Sequence, residues 1–284
     1  MSRLLILGSK GFLGGWLMHS RDARFEMIGA DRAFCDVTSP ASVAHAFAAT
    51  RPSAAILCAA LADIDRCEKE PALARAVNID GAANVARECA RSGVRLMFTS
   101  SGAVFDGEAE RYTESDATSP ISVYGKSKAA AERVIRETLP SASIARFSLV
   151  LGASPHGGTN ALLDKLRALL QKGDPVFAPA DEYRNPIDAG TLAHWMLDLA
   201  YSDDASGVFH LGSSDAVSRY AMVRELASAM GYSPDLVLAA GKPPPDRAPR
   251  GRCHMLVPGR ILQYSSIPVP TSREAIERCV HASV

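Results

Sequence analysis

The chain has 284 residues, enough for one large domain or a large domain with a smaller lobe, and 47% of them are hydrophobic, as a sizeable core requires. Its 31 lysines and arginines are matched by 31 aspartates and glutamates, so no basic surplus points to nucleic acid or an acidic membrane surface. No run approaches the ~18 apolar residues of a membrane span, and the opening residues have neither the apolar core nor the cleavage site of a signal peptide.

The six cysteines, Cys35, Cys58, Cys67, Cys89, Cys253 and Cys279, form no Cys-x-x-Cys pair and no zinc-finger spacing with histidine. Free cysteine in apolar or helical surroundings behaves as a small hydrophobe. These features predict a reduced, cytoplasmic protein without a metal site.

Leu4-Leu-Ile-Leu7 is a short continuous apolar run, the pattern of a strand buried on both faces. It leads into Gly8-Ser9-Lys-Gly11-Phe12-Leu13-Gly14, after which residues 15–20 have helical character. Glycines at a strand-to-helix turn permit a tight bend, close approach to a pyrophosphate and close packing of helix on strand. The helix start adds unpaired N–H groups and a partial positive charge. Residues 25–30 supply a second strand, which ends at Asp31 and Arg32. Asp31 stands 20 residues after Gly11, where a carboxylate accepts from both hydroxyls of an adenosine ribose and repels a 2′-phosphate. Arg32 pulls the other way, because a guanidinium pairs with that phosphate. The pattern favours NAD(H) and leaves NADP(H) open.

Asp36 and Val37 precede Thr38-Ser39-Pro40, an N-cap and helix start. Residues 54–60 read as a third buried strand ending in Ala59-Ala60, whose small side chains leave room for a flat ligand. Residues 73–93 have helix-forming composition, hold Asn78, and stop at Gly93. Residues 94–98 form a fourth strand that delivers Thr99-Ser100-Ser101. Strands alternating with helices predict an α/β fold, a Rossmann-like doubly wound parallel sheet with its ligands at the carboxyl ends of the strands.

Tyr124 and Lys128 then stand four apart on a helix, on one face and roughly 6 Å apart at the backbone. An ammonium beside a phenol lowers its pKa and makes it a usable proton donor and acceptor. Ser101, at a strand end, offers a hydroxyl across the same cleft. Taken alone, a tyrosine–lysine pair at this spacing most often marks a solvated helix surface. The glycine turn and the converging strand ends give it a cofactor to work beside.

Beyond residue 151 the alternation loosens. A polar loop at 154–160 precedes an amphipathic helix at 162–171, a polar turn spans 182–186, and residues 208–211 read as one more strand. Ser218 caps a helix that Gly231 stops. The loop 242–252 carries three arginines and reads as an exposed loop or a phosphate-binding one. The chain thus divides into a dinucleotide-binding domain at 1–152, to which 186–212 returns, and a smaller mixed substrate lobe from 153–185 and 213–284.

The combination of Gly8-x-x-Gly11-x-x-Gly14, Ala59-Ala60, Asn78, Ser101 and Tyr124-x-x-x-Lys128 resembles the extended short-chain dehydrogenase/reductases. Ile64-Asp65-Arg-Cys-Glu68, Val104-Phe-Asp-Gly107, Thr113-Glu-Ser-Asp116 and Val123-Tyr-Gly-Lys-Ser-Lys128 bring it nearest to the dTDP-4-dehydrorhamnose reductases, with the NAD-dependent epimerases beside them. The resemblance implies an NAD(P)H-dependent reductase of a keto nucleotide-sugar. In it Tyr124 is the catalytic acid/base, Lys128 holds the nicotinamide ribose, and Ser101 bonds the substrate oxygen. Gly8, Ser9, Gly11, Phe12, Leu13 and Gly14 surround the pyrophosphate. Asp31 and Arg32 meet the ribose, Asp36 and Val37 the adenine, and Ala59 and Ala60 the cofactor's face, with Asn78 in a supporting helix. Asn160, Arg184 and Arg250 are by position the substrate candidates.

The same resemblance admits a nucleotide-sugar epimerase, or a non-catalytic NAD(P)-binding regulatory subunit like the methionine adenosyltransferase beta subunit. A non-enzyme has no physical need for Ser101, Tyr124 and Lys128 together. A homodimer is the common default for a soluble enzyme. The reductases' usual Thr-Asp-Tyr is here Ser101-Gly102-Ala103. Serine keeps the hydroxyl, but the lost acid and phenol alter the substrate side of the pocket, and the Asp-Glu pair of sugar dehydratases is absent.

Overall fold

Apolar strands without a polar face must be covered on both sides, which leaves a parallel sheet with helices above and below it. The computed structural model describes residues 1–156, 162–241, 244 and 246–281, and it has that arrangement. In chain order come β1 (Ser2–Leu7), α1 (Phe12–His19), β2 (Phe25–Ala30), α2 (Pro40–Thr50), β3 (Ala54–Leu57), α3 (Ile64–Lys69) and α4 (Pro71–Ala74). A π-helical turn (Arg75–Asp80) joins α4 to α5 (Gly81–Ser92), and β4 (Arg95–Thr99), α6 (Val123–Thr138) and β5 (Ser143–Arg146) follow. The later elements are β6 (Leu149–Leu151), α7 (Leu162–Gln171), β7 (Val176–Ala178), β8 (Tyr183–Arg184), β9 (Pro186–Asp188) and α8 (Ala189–Tyr201). The last are β10 (Gly207–His210), β11 (Val217–Ser218), α9 (Arg219–Ala229), β12 (Val237–Ala239), β13 (Cys253–His254) and α10 (Ser272–His281).

The central sheet runs β10-β5-β4-β3-β1-β2, with every pairing parallel. The winding reverses between β1 and β3, where the two following loops part and leave a crevice for a ligand. Leu4 and Ile6 face one layer with Leu192 and Trp195, while Leu5 and Leu7 face the other with Phe47 and Val85. Each buried leucine contributes roughly 2 kcal/mol, so β1 anchors both layers.

Local signals set the helix ends. The Ser39 hydroxyl accepts from Ser42 N at 3.3 Å and Pro40 opens α2, while Gly93, at φ +66°, ends α5. α1 starts at Phe12, earlier than its composition predicts, because Gly11 serves as its N-cap. A third apolar cluster, with Leu163, Leu166, Met222, Leu226 and Ile276, packs α7, α9 and α10 together. The chain re-enters the main sheet at β10, which pairs with β5.

Candidate active site

At the end of β1 the chain turns at Gly8, whose φ of +88° lies in the left-handed region that side chains resist. A Cβ there would stand 2.7 Å from Ala59 N, so only glycine lets this turn abut the end of β3. A Cβ at Gly14 would stand 2.2 Å from the Gly8 carbonyl oxygen. Gly11 brings no side-chain acceptor to the start of α1, and no acidic residue stands in its first turn. The free N–H groups of that turn are a ready seat for a pyrophosphate. Beside it opens a cavity of about 360 Å³ lined by Gly8, Gly11, Asp31, Arg32, Asp36, Val37, Ala59 and Ala60. Ser9, Phe12, Leu13 and Gly14 are not on its walls; they shape the turn and helix behind it, with Phe12 and Leu13 packed on the core.

Lys10, which the sequence reading passed over, lines the same cavity and forms an ion pair with Asp31. That bond, with Phe34 N donating at 3.0 Å, holds the Asp31 carboxyl below the usual range. Arg32 Nε lies 3.7 Å from Asp36 Oδ2. Two cations therefore stand on the cavity wall beside Asp31 and Asp36. Lys10 sits inside the glycine motif, but the direction of its side chain follows from the turn's backbone and not from spacing.

On the other side of the crevice, α6 is capped twice. The Ser122 hydroxyl accepts from Gly125 N at 3.0 Å, and Glu68 Oε1 accepts from Val123 N at 2.7 Å. A Cβ at Gly125 would stand 2.1 Å from the Ala103 carbonyl oxygen. The glycine after Tyr124 therefore lets α6 rest on the turn at 102–104, and this contact brings Tyr124 to Ser101. Ser101, Tyr124 and Lys128 are all buried. Asn78, in the π-helical turn, bonds both backbone groups of Leu61 at 2.8 and 3.1 Å and donates to Ser127 Oγ at 2.9 Å. It thus ties the loop after β3 to the helix that carries Tyr124 and Lys128.

The electrostatics differ from the expectation that Lys128 lowers the Tyr124 pKa. Burial pushes the phenol up to about 12, with a hydrogen bond from Ser101 opposing. The Lys128 amine instead donates to the Thr99 carbonyl at 2.6 Å and sits 4.4 Å from the centre of the Phe98 ring. Burial lowers it to about 8, against a pull from Glu132. Desolvation is the largest cause of both shifts. Cys58, which lines the cavity beside Gly8, is pushed up to about 12 by burial, against the Lys128 charge.

Ser101 also lines a smaller cavity of about 60 Å³, and two of the predicted substrate residues, Arg184 and Arg250, share its wall. Both guanidiniums are engaged there. Arg184 donates to the carbonyls of Tyr183 at 2.6 Å and Gly251 at 3.1 Å. Arg250 grips Asp65 of α3 through bonds of 3.1 and 2.7 Å. Asn160 lies outside the described residues. Sequence reasoning did not single out Arg219 and Arg247, which with Arg184 pair with Glu182; Glu182, Arg219, Arg247, Arg250 and Arg252 line a larger opening of about 970 Å³. Burial raises the Glu182 carboxyl, but Arg247, 2.6 Å away, and its neighbours prevail and hold it low. The signal for this cluster was the arginine-rich loop 242–252. Among the described residues no three metal-ligating side chains converge, and no helix is long and apolar enough to cross a membrane.

Residues 2–284 match the RmlD substrate binding domain family. A dTDP-4-dehydrorhamnose reductase of Mycobacterium tuberculosis is 32% identical over 242 residues, spanning 83% of this chain and 78% of that protein. The solved structure of dTDP-4-dehydrorhamnose reductase from Bacillus anthracis, in complex with NADP, superposes with a TM-score of 0.91 at 25% identity and covers 98% of each chain. The Thermus thermophilus UDP-glucose 4-epimerase, in complex with NAD, superposes with a TM-score of 0.82 at 25% identity, covering 98% of this chain and 97% of that one. The glycine turn, the buried Ser101–Tyr124–Lys128 group and a match running almost end to end agree: the chain belongs to the RmlD substrate binding domain family, among the extended short-chain dehydrogenase/reductases.

Proposed function

We propose that the chain is an NAD(P)H-dependent reductase of a keto nucleotide-sugar, like the dTDP-4-dehydrorhamnose reductases it is similar to. When bound, the reduced nicotinamide supplies a hydride to the carbonyl carbon. Tyr124 gives its proton to the carbonyl oxygen, Ser101 donates a hydrogen bond to the same oxygen, and Lys128 holds the cofactor ribose. Residues 1–152 and 186–212 hold the dinucleotide; 153–185 and 213–284 hold the nucleotide-sugar, with Asn160, Arg184 and Arg250 on that side.

One observation carries the reading. Ser101, Tyr124 and Lys128 lie buried together, with Ser101 bonding the phenol. Reduction of a carbonyl needs a protonated donor at the outset, and at neutral pH the phenol, raised by burial, is one. The pairing of Asp31 with Lys10, and Arg32 nearby, supports acceptance of both dinucleotides: the carboxylate suits a free ribose hydroxyl, the cations a 2′-phosphate.

The test is consumption of NADPH or NADH with dTDP-4-dehydrorhamnose, followed by the loss of reduced-nicotinamide absorbance. Tyr124→Phe should lower kcat by ~10²–10⁴-fold and still bind NADPH in a thermal-shift assay. Interconversion of UDP-glucose without net cofactor consumption would establish the epimerase instead. Full activity in Tyr124→Phe would remove the tyrosine from the mechanism.

A further inference from the structure

Gly102 stands where the resemblance leads one to expect an acidic side chain, and the space it leaves is filled from another part of the chain. A Cβ at Gly102 would lie 3.3 Å from His254 Cβ and 3.6 Å from Ser148 Cα. Both residues line the cavity of about 60 Å³ that also contains Ser101. His254 is 6% exposed. Among the described residues, His254 Nε2 and Ser148 Oγ are buried and have no hydrogen-bond partner.

Two unpaired buried polar atoms, on residues that line one small cavity, are costly unless something arrives to pair them. The volume admits one small polar group, such as a hydroxyl with its carbon or a single water. We propose that this cavity receives a ring hydroxyl of the substrate, on the carbon next to the reacting carbonyl, through His254 Nε2 and Ser148 Oγ. The assignment rests on the reductase reading, since it takes Ser101 as the group that bonds the carbonyl oxygen.

The two partners are chemically complementary to a hydroxyl. Burial, and then the Arg184 charge, lower the His254 pKa to about 4, so the ring is neutral at pH 7. A neutral imidazole accepts at one of its nitrogens, and Nε2 is the buried one without a partner. Ser148 Oγ–H then donates to the hydroxyl oxygen that gives its own proton to Nε2. Arg184 and Arg250, on the same wall, are held by carbonyls and by Asp65. They shape the cavity, while His254 and Ser148 have bonding capacity to spare.

The test compares wild type, His254→Leu, His254→Gln and Ser148→Ala in kcat and KM with dTDP-4-dehydrorhamnose and NADPH, alongside the Kd for NADPH. It also uses the substrate analogue lacking the hydroxyl beside the carbonyl. His254→Leu and Ser148→Ala should each lower kcat/KM by roughly tenfold or more, leave the Kd for NADPH unchanged, and lose their effect with the deoxy analogue. His254→Gln, which restores an acceptor, should recover part of the loss. If His254→Leu fails to fold, Ser148→Ala and His254→Gln carry the same comparison. Wild-type kinetics in the variants, or equal losses with substrate and analogue, would reduce the pair to holding a structural water and overturn the inference. Absence of turnover by the wild type would overturn the reductase reading and the inference with it; wild-type turnover with indifferent variants would sink the inference alone.

Discussion

Replacing Lys128 with methionine should abolish turnover and stabilise the fold at neutral pH. The side chain is 2% exposed, and burial brings its pKa from 10.5 down to about 8. Below about pH 8 the amine is charged in both states, and the fold carries the full penalty of burying it. Between about pH 8 and 10.5 the folded chain sheds the proton while the unfolded chain keeps it, so this group's contribution to stability rises with pH. The shift corresponds to roughly 3 kcal/mol. Methionine removes that penalty and also loses the hydrogen bond to the Thr99 carbonyl, worth roughly 2 kcal/mol for a charged donor. A net gain of roughly 1 kcal/mol is expected at pH 7, turning into a loss by pH 10.5. Cys35, Cys58, Cys67, Cys89 and Cys279, all raised by burial, make both proteins less stable above their ordinary thiol range. The contribution of Cys35, Cys89 and Cys279 cancels in the difference between the two proteins; Cys58 and Cys67 feel the Lys128 charge, so the difference is read from pH 7 up to their ordinary thiol range. Urea unfolding of both at a series of pH values from neutral to alkaline gives that difference directly. A difference that stays constant across the series would refute a buried, weakened amine at position 128.

Two further predictions concern the cofactor. Gly14→Ala forces a Cβ to within 2.2 Å of the Gly8 carbonyl, an overpacking that typically costs 1–3 kcal/mol, roughly what a collapsed phosphate turn would show. The thermal shift produced by NADPH and NADH should shrink together, and a shift equal to wild type would dismiss the turn as the pyrophosphate seat. Lys10→Glu replaces the cation beside Asp31 with a second anion and should move the preference for NADPH over NADH downward by about two- to fivefold, the range exposed ion pairs support. An unchanged preference would take Lys10 out of ribose recognition.

Most of the sheet was legible because its determinants are local. The apolar runs at β1, β3 and β4, Ser39-Pro40 and Gly93 each specify a strand, a start or a stop within a few residues. The phosphate-type turn was legible for the same reason, since a turn that must be glycine declares itself in sequence; the third strand stops at Leu57, so the expected small residues Ala59 and Ala60 lie in the loop just past its end. The pKa logic of Tyr124 was not legible. Two groups four apart on a helix share a face, but how deeply that face is buried depends on α6 packing against the turn at 102–104, a contact that Gly125 permits. Gly125 lay inside the motif and was read only as a spacer. Lys10 escaped because its reach depends on the backbone of the turn, and the arginines around Glu182 converge from β8, α9 and the loop before β13.

That contrast has a physical origin. The cofactor side is built from backbone: N–H groups, carbonyls and the room left by absent side chains. Such a site tolerates few residue types, so its sequence trace is sharp. The proposed substrate side is built from side chains placed beside Ser101, where one group can replace another from a distant segment. Gly102 and His254 illustrate this, for the space beside Ser101 is occupied by a residue that stands far along the chain. A departure from a family's pattern at one position is therefore poor grounds for declaring a pocket empty. The informative question is which segment has moved into the space, and with what hydrogen-bonding capacity. Here the occupant is a neutral, buried imidazole beside a buried hydroxyl. Substrate choice should accordingly follow the hydroxyl pattern next to the carbonyl more than the charge of the sugar ring.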